Sequence, residues 1–421
     1  SLVGSEMCIR DRIGLVPKLI IAIILGILAG AYLPVGITRI AVTFSKIFGS
    51  FLSFIIPLMI LAFVTKGISD LGEGAGKLLG VTVLISYIST LVAGSLSYVM
   101  SSNIFPKFIS SSQVDAIVSA QGDGLKPYFE VPITPFFDVT SALIFAFMMG
   151  ISISWLRKNK SGEVLYKAVS EFNAVIVKVL ETAIVPVLPF FIFGNFAEMS
   201  YTGSVFAVLS IFWKIFICII ILHLIYVTVM FSISGSYTGK NPFAMIKNEV
   251  KGYMTAVGTQ SSAATIPVNL QCAANNGVSK EISEFVVPLG ATVHMPGSMI
   301  TITGCVFTIL YMYNLPHSFG LMLSLIATLG VAMVAAPGAP GGAVMSALPF
   351  LPMVGIAPES AMASLLISLY LTQDSFGTAA NISGDVAIAN AVDKIYNKVI
   401  LKNKDWKPMP VIKNPNNDWK F

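Results

Sequence analysis

The sequence predicts an all-α membrane protein that crosses the bilayer several times, and three observations support that fold class. Apolar runs recur along the whole chain of 421 residues, 55% of the residues are hydrophobic, and only 11% are charged. Soluble domains carry about 25% charged residues, so the charges here are too few to cover a water-facing surface of this size. A lipid bilayer is the natural solvent for such a chain.

Six apolar segments in the first part of the chain are long enough to span a bilayer, because a spanning helix needs about 20 apolar residues. They cover residues 13–34, 43–66, 78–105, 138–156, 169–198 and 204–235. Two of them reach about 30 residues, which indicates tilt or an extension into the interface. The first 12 residues, SLVGSEMCIRDR, have no apolar period and resemble a translated sequencing-adapter artefact, so the fold prediction excludes them.

Basic residues orient these segments, because cytoplasmic loops are enriched in lysine and arginine. The loops after the second, fourth and sixth segments are enriched in basic residues. These residues are Lys66 and Lys77; Arg157, Lys158, Lys160 and Lys167; and Lys240, Lys247 and Lys251. We expect these loops and both termini on the cytoplasmic side of the inner (plasma) membrane. The net charge of +5 is spread over such loops, which argues against a nucleic-acid partner. The four cysteines form no CxxC pair, so neither a zinc site nor a disulfide framework is expected.

After residue 240 the apolar segments become shorter and are interrupted by Gly, Pro, Ser and Asn. Two units, residues 241–313 and 319–393, are each predicted to form a helical hairpin followed by a broken helix. The interruptions are TQSSAATIPVN (259–269), HMPGS (294–298), APGAPGGAV (336–344) and DSFGTAANISGD (374–385). Open backbone at membrane depth is tolerated only where protein or a water-filled cavity satisfies it. The interruptions therefore predict a binding site inside the membrane region.

The hairpin tips carry groups that suit an anionic or zwitterionic ligand. A helix N-terminus exposes unpaired N–H groups with a partial positive charge, and Ser261 and Ser262 add hydroxyl donors at the first tip. At the second tip, Gly341 and Gly342 follow Pro340 and allow the backbone to approach a ligand closely. The structural alternative is that the two serines only cap the second helix of the hairpin.

Three polar residues of the last long segment, Asp374, Asn381 and Asp385, lie 7 and 4 positions apart and share roughly one face of a helix. Acidic residues at membrane depth are rare and usually functional, although these could be structural. Carbonyl groups freed by a broken helix, together with Asn381 and Asp385, could coordinate a hard cation such as sodium.

The motifs TQSSAATIPV, PLGATVHMPGS, GAPGGAVM and DSFGTAANISGD, in this order, resemble the dicarboxylate/amino acid:cation symporters, a family that includes glutamate, aspartate and neutral amino acid transporters. The resemblance covers essentially the whole chain after the first 12 residues. It implies eight transmembrane helices, two re-entrant helical hairpins in inverted repeats, and an elevator-type homotrimer. Residues 13–240 would be largely scaffold and trimer contact, residues 241–395 the transport core, and residues 396–421 a cytoplasmic tail.

The resemblance also implies substrate contacts. Ser262 matches the serine that meets the substrate carboxylate, with Ser261 beside it, and Asp374 matches the aspartate that holds the substrate amino group. Further substrate contacts would come from Thr378 and Asn381, from Gly377, and from the second tip at Pro340, Gly341 and Gly342.

Three sodium sites follow from the same resemblance. The first combines Asn381 and Asp385 with carbonyl oxygens, most plausibly those of Gly290 and His294. The carbonyl of Thr292 matches a ligand of a second site, and Tyr87 and Thr90 match part of a third.

Two departures from the family pattern bear on ion and substrate. Where the family has Asn-Met-Asp-Gly-Thr, this chain has His294-Met295-Pro296-Gly297-Ser298, and a proline cannot ligate through its side chain. This favours fewer sodium ions, or a proton, as the coupling ion, and His294 is a candidate proton group. Acidic-amino-acid transporters of the family have an arginine that clamps the substrate side chain, and this chain has Gly377 at that position. Some relatives carry an arginine on the first hairpin, where this chain has Gln260. A neutral substrate such as serine, threonine or alanine is therefore favoured, because a second carboxylate would stay unpaired.

Two other functions remain open on the sequence. One is a sodium- or proton-coupled symporter of acidic amino acids or C4-dicarboxylates. The other is an ion channel, because broken helices and carbonyl-lined sites also build ion filters. No nucleophile–base pair or metal-ligand cluster is evident, so no enzyme and no cofactor are expected. The expected partners are a small-molecule substrate, a cation and membrane lipid.

Overall fold

The computed structural model of the protein describes residues 15–70, 76–120, 124–137, 139–333, 341–403 and 405–412. Within these ranges the regular structure is helical, and the all-α prediction is confirmed. The first helices are α1 (Leu15–Tyr32), α2 (Val35–Asp70), α3 (Gly76–Ile104), α4 (Ser111–Ala120), α5 (Val139–Lys158), α6 (Glu163–Val179), α7 (Val185–Tyr201) and α8 (Val205–Thr238). They are followed by α9 (Pro242–Thr259), α10 (Ser262–Asn275), α11 (Lys280–Val293), α12 (Pro296–Met312), α13 (Phe319–Ala332), α14 (Gly342–Ala347) and α15 (Ala361–Lys394).

Several of these helices are long and apolar enough to cross a membrane. In the described part of the chain, four stretches meet that condition by length and composition, namely Val35–Lys66, Lys77–Lys107, Val205–Thr238 and Lys280–Met312. A fifth is added if α6 and α7, which meet at a bend of 50°, form one span. The six apolar segments predicted in the first part of the chain therefore correspond to helices, and α6 and α7 divide the fifth segment between them.

The faces of α3 show the environment for which the helix is built. Its outward face is apolar, with Leu84, Ile88 and Val92 exposed, whereas Ser86 and Thr90 are buried on the inward face. A helix in water places its apolar residues inside, so this arrangement is reversed. Lipid satisfies the apolar face, and the rest of the protein encloses the hydroxyl groups.

The helices pack in two groups. Helices α1, α2, α5, α6 and α7 pack mainly against one another. In the other group, α15 lies at the centre and contacts α8, α9, α10, α11 and α12, while α3 packs against α12 and α13. By these contacts, α3 and α8 associate with the C-terminal helices, although both precede the change of sequence pattern at residue 240.

The helical hairpin predicted for residues 241–277 is formed by α9 and α10. Asn241 begins α9 by accepting hydrogen bonds from two backbone N–H groups of the first turn. The chain turns at Gln260, which has a φ of 53°. Ser261 then begins α10 by accepting a hydrogen bond from the N–H of Ala264 at 3.2 Å. The interruption seen in the sequence is therefore a capped turn between two helices.

The first predicted broken helix is also present. Helix α11 ends at Val293, His294 is extended with φ −116° and ψ 98°, and α12 begins at Pro296. Proline has no N–H group to continue the preceding helix and disfavours helical geometry in the residue before it. The interruption leaves the N-terminus of α12 inside the protein, since Pro296 and Gly297 are both buried.

The second predicted broken helix is wrong. Helix α15 runs without interruption from Ala361 to Lys394, through the whole DSFGTAANISGD sequence. The stretch contains no proline, and a glycine such as Gly377 or Gly384 costs a helix only about 1 kcal/mol. Packing against several surrounding helices outweighs that cost. The backbone carbonyls of α15 are consequently engaged within the helix.

The second hairpin is described in part. Helix α13 lies in its first half, and Gly341 immediately precedes α14. Residues 334–340, with the predicted tip residue Pro340, lie outside the described residues. The chain then continues as a short 3₁₀ helix, Leu348–Val354.

Lys240, between α8 and α9, ties three elements together from a buried position. Its Nζ donates to the carbonyl oxygens of Asn276 at 2.7 Å and Gly277 at 2.8 Å, and to Oδ1 of Asn390 at 2.6 Å. Burial lowers the pKa of Lys240 to about 8, and the charge of Asp393 opposes that shift. The ammonium group therefore remains charged at neutral pH, and it joins the first hairpin to α15.

We expect the Lys240→Met variant to be less stable by about 3 kcal/mol, because three buried acceptors lose a charged donor. The measurement is thermal unfolding of the purified protein in detergent. Lys247→Met is the matched control, since Lys247 is exposed on the adjacent helix α9. Equal melting temperatures for the two variants would contradict this role of Lys240.

Candidate substrate and cation site

Asp374 lies buried in α15, and both of its carboxylate oxygens accept hydrogen bonds. Oδ1 lies 2.9 Å from the hydroxyl of Tyr370, and Oδ2 accepts the N–H of Gly341 at 2.7 Å. Gly341 has a φ of 76°, which glycine adopts without a steric penalty. Thr378, one turn further along α15, also interacts with the carboxylate. The start of α14 is thus bound directly to the acid that was predicted to hold a substrate amino group.

The tip of the first hairpin meets α15 at the adjacent residue. Nε2 of Gln260 donates to Oγ of Ser375 at 2.9 Å. Ser261 caps α10, as the structural alternative predicted, and Ser262 is buried as the first residue of that helix. The N-terminus of α10 therefore lies beside the part of α15 that carries Asp374.

Asn381 connects α15 to the interruption between α11 and α12. Its Oδ1 accepts the N–H of Gly297 at 2.8 Å and that of Ser298 at 3.3 Å, and its Nδ2 donates to Oγ of Ser298 at 3.0 Å. The side chain thereby caps the N-terminus of α12. In this arrangement the amide oxygen that was predicted to ligate sodium is directed at backbone N–H groups instead.

Asp385 and His294 form a buried pair. Nδ1 of the imidazole lies 2.9 Å from Oδ1 of Asp385, and Nε2 lies 2.9 Å from Oγ of Ser89. Ser89 Oγ in turn lies 2.8 Å from the hydroxyl of Tyr226. One chain of hydrogen bonds therefore joins α15, the α11–α12 interruption, α3 and α8. Oδ2 of Asp385 has no hydrogen-bond partner among the described residues.

Gly290 provides the space for this pair. A Cβ atom on Gly290 would lie 2.6 Å from Oδ1 of Asp385, so a larger residue would force the carboxylate to shift. The carbonyl of Gly290 accepts the N–H of His294 at 2.9 Å, as in the last turn of a helix. The structure thus brings together Gly290, His294 and Asp385 of the first predicted sodium site, with the imidazole in contact with the acid.

The ligands predicted for the other two sodium sites make different contacts. Thr292 is exposed, and Tyr87 donates from its hydroxyl to the carbonyl of Ala327 at 3.1 Å. Thr90 donates to the carbonyl of Ser86 within α3 at 2.9 Å. Among the described residues, no hydrogen bond joins these three predicted ligands to the His294–Asp385 pair.

Several polar residues of the site were not predicted from the sequence. Tyr370 links Asp374 to Ser298, whose Oγ lies 3.1 Å from the phenol oxygen. His223 lies 3.0 Å through Nε2 from the carbonyl of Gly297, at the start of α12. Both residues could have been identified from the sequence. Tyr370 lies one helical turn before Asp374, and His223 interrupts a long apolar run.

Neither the hairpin tips nor the central part of α15 carries a lysine or arginine that could clamp a second carboxylate. The sequence has no Lys or Arg in residues 252–279 or in residues 281–393, which include both hairpin tips and nearly all of α15. A buried acid beside helix ends and an interrupted helix, in a protein with helices long enough to span a membrane, is an arrangement typical of carriers for small solutes. The class of protein is therefore a secondary transporter.

The chain belongs to the sodium:dicarboxylate symporter family, whose model matches residues 15–395. It is 27% identical over 396 residues to the serine/threonine transporter SstT of Acinetobacter baumannii (strain AYE), an alignment covering 91% of this chain and 97% of the relative. It is 29% identical over 266 residues to the human neutral amino acid transporter B(0), which covers 61% of this chain and 48% of that protein. Human excitatory amino acid transporter 1 is 27% identical over 271 residues, an alignment that covers 63% of this chain and 48% of that protein.

Membership of this family confirms the resemblance found in the motifs. The protein is a membrane symporter, so neither the enzyme class nor the channel alternative applies. A small-molecule substrate and a coupling cation follow from the family, whereas the particular substrate and ion depend on the residues of this chain.

Proposed function

We propose that the protein is a cation-coupled symporter of small neutral amino acids such as serine, threonine and alanine. The observation that carries this proposal is the environment of Asp374, a buried acid bound by Gly341 with no basic side chain supplied by either hairpin. The name of the SstT relative, a serine/threonine transporter aligned over nearly its full length, supports the same substrate class.

The substrate amino group would bind at Asp374. An ammonium group is a strong donor to a buried carboxylate, and it would replace the N–H of Gly341 as a partner of Oδ2. Substrate binding would then release the start of α14 from α15 and allow the second hairpin tip to rearrange over the ligand. Thr378, Asn381 and Gly377 line the same stretch of α15, and Gly342 and Pro340 belong to the second tip.

The substrate carboxylate would bind at the N-terminus of α10. The first N–H groups of a helix have no partner within the helix and carry a partial positive charge. Ser262 begins this helix and Ser261 caps it, and the contact between Gln260 and Ser375 holds the tip against α15. A zwitterion would thus have its two charges bound by elements on either side of α15.

The side chain of the substrate would meet a neutral wall. Gly377 and Gln260 stand where the acidic-amino-acid transporters and some relatives place arginines, and neither residue provides a positive charge. Burying an unpaired carboxylate costs several kcal/mol, so aspartate, glutamate and C4-dicarboxylates would bind much more weakly than serine.

The coupling cation would act through Asp385. Its Oδ2, which has no hydrogen-bond partner among the described residues, is available to a sodium ion, and Gly290 of α11 packs directly against this side chain. His294 contacts the other oxygen of this acid, so fewer oxygen atoms are left to bind sodium ions. This supports a small number of coupled ions, and a proton is the alternative coupling ion. Thr292, Tyr87 and Thr90 remain candidate ligands of further ions.

The architecture that accompanies this function has eight transmembrane helices, two re-entrant hairpins and a homotrimer in the cell membrane, with both termini in the cytoplasm. The packing of the helices supports an elevator-type movement, because α3, α8 and the helices from α9 to α15 form one group. The other group, α1, α2, α5, α6 and α7, would be the stationary scaffold.

The test is uptake by proteoliposomes over a panel of amino acids and C4-dicarboxylates, with sodium and proton gradients imposed separately. We expect saturable uptake and exchange of labelled serine, threonine or alanine, driven by one of the two gradients. Uptake confined to aspartate, glutamate or dicarboxylates would overturn the proposed substrate class, and uptake independent of both gradients would overturn cation coupling.

A further inference from the structure

Glu249 is a buried acid on α9 that the proposed substrate and cation sites do not use. It is 2% exposed, and neither carboxylate oxygen accepts an aligned hydrogen bond from a described residue, although Ser383 and Cys272 lie beside it. An ionised carboxylate can only accept, and burying one without partners is very costly. Either a proton or a bound cation must therefore balance this group.

Other oxygen atoms without partners surround Glu249. Asn269 donates from Nδ2 to the carbonyl of Ile382 at 2.9 Å, which leaves its Oδ1 without a partner, and Oγ of Ser383 also has none. A Cβ atom on Gly252 would lie 2.6 Å from Oε1 of Glu249 and 3.1 Å from Oδ1 of Asn269. Both oxygens thus face the same space above the Gly252 backbone, and glycine keeps that space open.

A cavity of about 190 Å³ adjoins these oxygens, between α8, α9 and α15. Glu249 and Ser383 line it, and most of its wall consists of apolar side chains such as Phe231. The cavity provides a route by which a small ion could reach the carboxylate. The apolar wall strengthens electrostatic attraction to the ion, because the local dielectric constant is low.

The charge of Glu249 acts on Asp385, so two acids lie close together inside the protein. Nδ1 of His294 contacts Oδ1 of Asp385 at 2.9 Å. A proton on Glu249 would satisfy one lone pair, whereas a cation can bind carboxylate, amide and hydroxyl oxygens together.

The type of donor indicates the type of cation. Oxygen atoms from carboxylate, amide and hydroxyl groups are the ligands of hard cations. The described residues contain no group of three or more His, Cys, Asp and Glu side chains that could hold a metal ion, and this disfavours a transition metal. Sodium is a hard cation of this kind, and it is the ion in the name of the family.

We propose that Glu249, Asn269 and Ser383 form a sodium site between the first hairpin and α15. The site is separate from the ligands that the family resemblance assigns, since none of these three residues belongs to them. Its role in transport rests on the proposed function: a bound sodium ion would hold the first hairpin against α15 while the substrate is carried. Sodium binding itself can be measured without transport.

The test is binding of radioactive sodium to the purified full-length protein in detergent, without substrate. We expect Glu249→Gln to weaken sodium binding by about tenfold or more and to lower by one the number of ions bound at saturation. Glu284→Gln is the matched control, because Glu284 is largely exposed on α11, where it pairs with Lys280. This control is expected to bind sodium as the unmodified protein does.

Three results would overturn the site. The first is unchanged sodium affinity and stoichiometry in Glu249→Gln. The second applies if that variant does not fold: Glu249→Asp keeps the charge on a shorter side chain, and unchanged affinity in Glu249→Asp would overturn the site. The third is the absence of sodium binding by the unmodified protein, a result that would be compatible with proton-coupled symport. Conversely, failure of amino acid uptake in proteoliposomes would overturn the proposed function and leave the sodium measurement intact.

Discussion

Replacing Asp374 with asparagine is expected to reduce uptake of neutral amino acids by about a hundredfold or more. The amide keeps an acceptor for the N–H of Gly341, so the contact between α14 and α15 can persist. It removes the negative charge that would bind the substrate ammonium group, and its NH₂ group would face another donor. The measurement is initial uptake of labelled serine by proteoliposomes, with substrate binding measured on the purified protein.

The control for this prediction is Asp115→Asn, the same chemical change on the exposed helix α4. It should leave uptake unchanged, and both variants should unfold at temperatures close to that of the unmodified protein. Normal uptake by a well-folded Asp374→Asn protein would contradict the assignment of Asp374 to the substrate amino group.

Much of the fold was predictable because the length and apolar character that a bilayer requires of a spanning helix can be recognised in each segment separately. Apolar runs of sufficient length marked α1, α2, α3, α5 and α8, and Pro296 marked the interruption before α12. The prediction failed at α15, where Gly377 and Gly384 suggested a break. Glycine permits a break without requiring one, and packing against surrounding helices keeps α15 straight.

The candidate site was predictable where a residue type is rare at membrane depth. Asp374 and Asp385 were identified on that ground, and the structure shows both buried with hydrogen-bond partners. Their partners could not be predicted, because they come from distant segments. Ser89 of α3 meets His294, and Tyr226 of α8 meets Ser89. The sequence does not specify how those helices rotate against α12.

The buried position of Glu249 could not be predicted from the sequence. It lies among ordinary charged residues of the sequence NEVKG, between Lys247 and Lys251, which the positive-inside rule marks as a cytoplasmic loop. Only the packing of α9 against α15 turns this one acid inward while Lys247 and Lys251 stay exposed. Charge patterns report the average position of a segment, and they do not report the direction of one side chain.

Introducing arginine at Gly377 is expected to shift selectivity from neutral to acidic amino acids by about tenfold or more. A Cβ atom on Gly377 would lie 3.5 Å from the nearest atoms of Gly297 and Ser298, which is ordinary contact, so the first atom of a side chain fits at this position. The guanidinium group could then pair bidentately with a second carboxylate. With serine bound it would remain a buried charge without a partner, so serine uptake should fall.

The measurement is competition by aspartate and serine for uptake, and Gly377→Met is the matched control. Methionine adds a long side chain without a charge, so it separates the effect of volume from that of the positive group. We expect Gly377→Met to lower serine uptake without making aspartate a competitor. If aspartate competed equally poorly against Gly377→Arg and Gly377→Met, the absence of an arginine at this position would not explain selectivity for neutral substrates.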